Sequence, residues 1–142
     1  MNNNNISSLS NDKYKLVEIK NEEDYNLCLF IRRIVFHHEQ QVPITLEVDA
    51  FDKHYKRHFI LYENKTKQAI ATARYLFDTN TGLIKLQRIA VLKEYRSQGI
   101  GSFLLQALEQ HIWSEYGHNF LIICTSQLGA IDYYKKFNYI QV

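Results

Sequence analysis

Proline occurs once, at Pro43, and glycine five times in 142 residues. Collagen-like and Pro/Gly-rich low-complexity chains are excluded on that ground. Two cysteines, Cys28 and Cys124, make neither a disulfide framework nor a zinc site. Each lies in an apolar run without a flanking cation, so both are expected as buried thiols in a reducing compartment. No apolar run approaches membrane-spanning length, and no basic segment followed by an apolar core opens the chain. A cytoplasmic location is the expectation. The formal charge of +2 comes from intermixed acids and bases, which gives no footprint for nucleic acid or an anionic membrane.

Apolar residues make up 46% of the chain, enough for one domain with a real core. Residues 1–12 are Asn/Ser-rich and read as a disordered tail before a single domain at 13–142. A first strand is expected at Tyr14 to Ile19. Asn21 is a candidate N-cap, followed by three acidic residues in the first helical turn. Leu27, Phe30, Ile31 and Ile34 form a helical apolar stripe that ends near Phe36. Runs at Arg57 to Glu63, Gln68 to Phe77 and Leu83 to Leu92, separated by polar turns, read as an antiparallel meander. A helix is expected from about Gly99, with Gly117 as its stop. Phe120 to Thr125 is a continuous apolar strand, parallel to the strand before that helix through a right-handed crossover. A short helix from about Gly129 to Phe137 and a strand begun at Tyr139 complete the expectation.

The organising stretch is the turn between strand and helix, Arg96-Ser-Gln-Gly-Ile-Gly101. A helix that starts at such a turn points unpaired N–H groups and a positive dipole end outward, which suits phosphate. Arg96 adds a charge that can pair with phosphate oxygens. Two familiar phosphate motifs do not fit. A P-loop needs a lysine after its last glycine, and Ser102 follows Gly101. A dinucleotide fingerprint needs a third glycine, and Leu104 stands there.

Arg-x-x-Gly-x-Gly directly after "RIAVLKEYR" resembles the acetyl-CoA pyrophosphate loop of the GNAT (Gcn5-related N-acetyltransferase) superfamily. Downstream, Ala130 to Tyr139 resembles the same superfamily's Ala-x-x-Phe-Tyr-x-Lys-x-Gly-Phe pattern, with Asn138 in place of the glycine. "IRRIVFHHEQQVP" resembles a segment of small bacterial acetyltransferases and of a protist-type glucosamine 6-phosphate N-acetyltransferase.

The resemblance implies an α/β (α+β) GNAT fold: a mixed, mostly antiparallel twisted sheet with a splayed parallel strand pair 4/5 and flanking helices. It implies acetyl-CoA as cosubstrate. Backbone groups of Ile89, Ala90 and Val91 would meet the pantetheine arm. Arg96, Ser97, Gln98, Gly99, Ile100, Gly101 and Ser102 would hold the pyrophosphate, with Tyr133 and Lys136 also at the cofactor. An N–H near Ile89 would stabilise the oxyanion, and Tyr134 would protonate the leaving thiolate. Many relatives carry Glu on strand 4 as base; position 87 here is Gln. Glu39 or Asp49 from the loop after the first helix is then the candidate base.

Direct acetyl transfer to a primary amine is the implied reaction, with glucosamine 6-phosphate as the leading acceptor. Arg32, Arg33, Glu39, Lys53, His54 and Arg57 are candidates to bind it. Another small amine, a protein N-terminus or lysine, or a non-catalytic acyl-CoA-binding module are the competing readings. His37 and His38 are adjacent and lack a placed third ligand, so no metal is expected. Relatives carry a final strand pair after "FNYIQV"; either the sequence stops short of it or a second protomer covers the open strand edge, and the second reading leads to the expectation of a homodimer.

Overall fold

The computed structural model describes residues 8–43, 57–78 and 80–124. Six strands form one sheet in chain order: β1 (Ser8–Ser10), β2 (Tyr14–Glu18), β3 (His58–Glu63), β4 (Ala69–Asp78), β5 (Leu83–Val91) and β6 (Leu121–Cys124). Neighbours pair antiparallel except β5 and β6, which run parallel. Helix α1 (Glu22–Arg32) joins β2 to the loop before β3, and α2 (Ile100–Tyr116) is the crossover between the parallel strands. The mixed, mostly antiparallel sheet with flanking helices is the expected architecture.

Local chemistry explains the boundaries. Asn21 caps α1, its Oδ1 accepting from the Asp24 N–H at 2.8 Å. Gly117 ends α2 at φ 80°, a backbone state that favours glycine. β1 corrects the expected disordered tail over residues 8–10: Ser8, Leu9 and Ser10 pair with Val17, Leu16 and Lys15. The Asn11 side chain turns the chain, accepting from Lys13 and Tyr14 N–H at 2.8 and 2.7 Å. A composition-based expectation of disorder does not register a turn built by one asparagine.

Both sheet faces are covered. On one side α2 buries Ile100, Leu104, Leu105, Leu108 and Ile112 against Phe59, Leu61, Tyr75, Ile84 and Leu86. On the other, α1 buries Cys28 with Ile19 and Ile60 and Ile31 with Ala90 and Leu92, and Val35, just past the end of α1, joins the latter group. The helix stripe is therefore Cys28, Ile31, Arg32 and Val35, one residue off the expected one. Leu27 and Phe30 remain 38% and 60% exposed. Burial is likewise complete at Cys28 but only partial at Cys124.

The expected helix end near Phe36 is also revised. α1 passes into a π-helical segment, Arg33–Glu39, in which Gln40 N–H reaches back to the Val35 carbonyl at 3.1 Å. Each π turn holds an extra residue and re-aims the chain downstream of it. The expected helix at 129–137, the strand from Tyr139, and most of the acidic loop lie outside the described residues. No described helix is long and apolar enough to cross a membrane.

Candidate active site

The turn that opens α2 is held from both sides. Leu92 N–H bonds the Ile70 carbonyl at 3.0 Å, which keeps the end of β5 on β4. A 3-10 turn, Lys93–Tyr95, comes next, and Tyr95 Oη donates to Gln68 Oε1 at 2.8 Å. The chain then enters the left-handed region at Ser97 (φ 66°) and Gly99 (φ 79°). Gly99 is the N-cap of α2, and among the described residues no side chain caps the helix. Ile100 and Leu104 are buried, so the helix end is fixed to the sheet. Among the described residues no side chain accepts from the first-turn N–H groups, and at the positive end of a helix of 17 residues such groups suit an anion. A Cβ at Gly99 would meet nothing within 4 Å. One side of the turn opens on a groove of about 430 Å³ lined by Asn11, Asp12, Lys13, Tyr14, Gln98, Gly99 and Phe103.

β5 carries an irregularity beside this turn. Thr72 pairs with Ala90 and Arg74 with Gln87, so Arg88 and Ile89 together oppose Ala73. Arg88 sits at φ 54°. This is a β-bulge, a device that interrupts ladder pairing and re-aims backbone groups. Among the described residues, β5 pairs with β6 from Leu83–Leu121 to Leu86–Cys124. Ile89 is thus part of the bulge, and Ala90 and Val91 lie between it and the turn that opens α2. Ala90 packs on the α1 side of the sheet, and Ile89 and Val91 pack on the α2 side.

Arg96 is the main departure from expectation. Its Nη1 and Nη2 donate to Glu39 Oε2 and Oε1 at 2.5 and 2.6 Å, and its Nε donates to the Val91 carbonyl at 3.0 Å. The guanidinium is thus turned to the chain itself, and its charge faces a carboxylate. Glu39 is brought to it by the π segment. The bond from Arg96 holds the Glu39 carboxyl below the usual range, and Glu39 in turn raises Arg96. A carboxylate so held is a poor proton acceptor near neutral pH, which counts against Glu39 as the base.

Among the described residues, the acceptor candidates Arg32, Arg33 and Arg57 point to different places. Arg32 is buried at 1% exposure beneath α1, whereas Arg33, the next residue around the helix, is exposed. Successive helical residues are about 100° apart, so the two point differently. Arg57 places its guanidinium 5.9 Å from the centre of the Tyr75 ring, on the α2 side of the sheet. Asp49, Lys53, His54, Tyr133, Tyr134 and Lys136 lie outside the described residues.

A polar row was missed by sequence reasoning. His58, Arg74 and Gln87 are successive cross-strand partners on β3, β4 and β5. Arg74 and His58 are buried, and Arg74 donates from Nε and Nη2 to Gln87 Oε1 at 3.2 and 2.9 Å. Tyr25 of α1 meets His58 edge-on at 5.5 Å, which puts this row on the α1 face. The available signal was an arginine inside the apolar strand "AIATARYLF". Among the described residues, no three His, Cys, Asp or Glu side chains converge as a metal site.

A pinned helix mouth, a bulged strand beside it, and a parallel partner strand across the crossover make up the candidate site of this α/β fold. The sequence profile of the acetyltransferase (GNAT) family matches residues 15–139, and the chain belongs to that family. It is 32% identical over 125 residues to the uncharacterized N-acetyltransferase YjcF of Bacillus subtilis, spanning 88% of this chain and 84% of that one. It is 34% identical over 123 residues to YyaT of the same organism, spanning 85% and 79%. The fold is also that of Escherichia coli ElaA (TM-score 0.74, 19% identity, 87% and 84% covered). An acyl-CoA N-acyltransferase from Pseudomonas aeruginosa shares it too (TM-score 0.75, 21% identity, 91% and 87% covered).

Proposed function

We propose that this N-acetyltransferase takes acetyl-CoA along β5 and passes the acetyl group directly to a small primary amine that carries an anionic group. Glucosamine 6-phosphate is the specific acceptor put forward. The observation that carries the reading is the uncapped N-terminus of α2 behind Gly99, immediately after the bulged strand. The diphosphate would lie on the first amides of α2 and the pantetheine arm along Ile89 to Val91. The amine nitrogen attacks the thioester carbonyl carbon, and negative charge gathers on the carbonyl oxygen. A backbone N–H at the bulge, at or near Ile89, is the donor assigned to it. As the C–S bond breaks, the thiolate takes a proton, the role assigned to Tyr134.

Glu39 is withdrawn from the role of base on account of its fork with Arg96. Asp49 is kept for it. Arg33 is the exposed cation at the end of α1 and is assigned to the anionic group of the acceptor. Leu27 and Phe30, exposed one turn apart on α1, support assembly as a homodimer. Sedimentation at micromolar concentration tests that point, and a monomer mass rejects it.

The deciding experiment measures free thiol release from acetyl-CoA with a panel of amines. Glucosamine 6-phosphate is expected to exceed plain glucosamine and amino-acid amines in kcat/KM. A preference for an uncharged amine, or for a peptide N-terminus, rejects the sugar-phosphate acceptor but keeps the transferase. No release with any amine, together with tight CoA binding, favours a non-catalytic acyl-CoA-binding module.

A further inference from the structure

The fork between Glu39 and Arg96 joins two elements with different tasks. Glu39 ends the π segment that leads into the loop on the α1 side. Arg96 opens the turn to which the diphosphate is assigned. The two are 57 residues apart in sequence, and both Nη atoms are engaged end-on. A third N–H, on Nε, goes to the Val91 carbonyl at the end of β5. Three of the five donors of the guanidinium are therefore committed to the chain. A bidentate fork of this kind fixes orientation as well as distance.

We propose that Arg96 is a positioning residue: it braces the diphosphate turn against the π segment and the end of β5, with Glu39 as its anchor, and the turn's backbone alone touches the phosphates. The proposal rests on the assignment of acetyl-CoA to this turn. It assigns the arginine of the motif to geometry and leaves anion binding to amides and the helix end. It also gives the π segment a purpose, since the widened turn is what delivers Glu39 to the guanidinium.

Calorimetric titration with CoA separates a brace from a phosphate ligand. Parent, Glu39→Gln, Arg96→Gln, the double Gln variant, Arg96→Glu and the charge swap Glu39→Arg/Arg96→Glu are compared. A brace predicts that Glu39→Gln and Arg96→Gln each weaken CoA binding about fivefold, the worth of a well-formed ion pair near the surface. The double Gln variant should then be no weaker than either single one, and the swap should bind more tightly than Arg96→Glu alone. Thermal midpoints of all variants should stay within about 4 °C of the parent, so lost affinity is not lost fold.

The opposite signs overturn it. If Glu39→Gln tightens CoA binding while Arg96→Gln weakens it, Arg96 is a phosphate ligand restrained by Glu39. If neither changes affinity, the fork is a surface ion pair with no part in the site. If the parent itself binds no CoA, the assignment of the turn fails and the brace falls with it, a result distinct from the other two.

Discussion

Arg74 and Gln87 face each other across β4 and β5, and two guanidinium N–H groups converge on the single Oε1 of the glutamine. The arginine is buried, so its bonds are made in surroundings where water does not replace them. Gln87 sits at the position where the family resemblance leads one to look for a glutamate base. In this chain the same position supplies a carbonyl acceptor to a cation.

Gln87→Leu should therefore destabilise the protein. It removes an acceptor from a buried charged donor, a loss of about 1–3 kcal/mol. Urea unfolding should show a lower midpoint with an unchanged slope. A midpoint equal to the parent's would mean that the other contacts of Arg74 suffice.

Gln87→Glu is expected to leave turnover at neutral pH no higher than the parent's. The new carboxylate would pair with Arg74, which favours its ionised form and lowers its pKa. A carboxylate with a depressed pKa accepts a proton weakly. The pH profile of kcat/KM is the measurement. A higher rate with a new limb in the profile would restore this position to the role of base.

Cys28 gives a pH dependence whose sign is fixed. Burial under α1 raises its thiol from the ordinary 9.0 to about 11, despite the neighbouring Thr72 and Arg32. Between those values the unfolded chain loses the proton and the folded chain keeps it. The folded state then binds more protons, so stability falls as pH rises through that window. Below pH 9.0 the contribution is constant. Two pKa units correspond to about 2–3 kcal/mol at the alkaline end. Cys28→Ala should flatten the alkaline limb of the stability curve, and an unchanged limb would reject the assignment.

Elements with strong local signals were legible in the sequence. Asn21 and Gly117 marked helix ends because each acts through its own backbone neighbourhood. The meander, the crossover and the glycine turn came from periodicity and turn residues. The missed features are non-local. That Arg96 meets Glu39 depends on the π turn, for which "RIVFHHE" carries no local rule. The burial of Arg32 beside exposed Arg33 depends on a stripe shifted by one residue, set by the sheet beneath. The bulge at Arg88 and Ile89 depends on register with β4, which an apolar run does not specify.

The two glycines that bracket α2 allow a controlled test of its mouth as an anion site. Gly99 and Gly117 have nearly equal positive φ, 79° and 80°, and a Cβ at either would meet nothing within 4 Å. Alanine at each therefore introduces backbone strain alone, about 1 kcal/mol at Gly99 and about 1–3 kcal/mol at Gly117, whose ψ of −172° is nearly reserved to glycine. On stability, Gly117→Ala should be at least as harmful as Gly99→Ala. On CoA affinity the order should reverse, because the open space at Gly99 is where a diphosphate would approach the amides. Denaturation and CoA titration on the same two variants provide the comparison. If Gly117→Ala costs as much CoA affinity as Gly99→Ala, the loss tracks general destabilisation, and the mouth of α2 is not where the diphosphate sits.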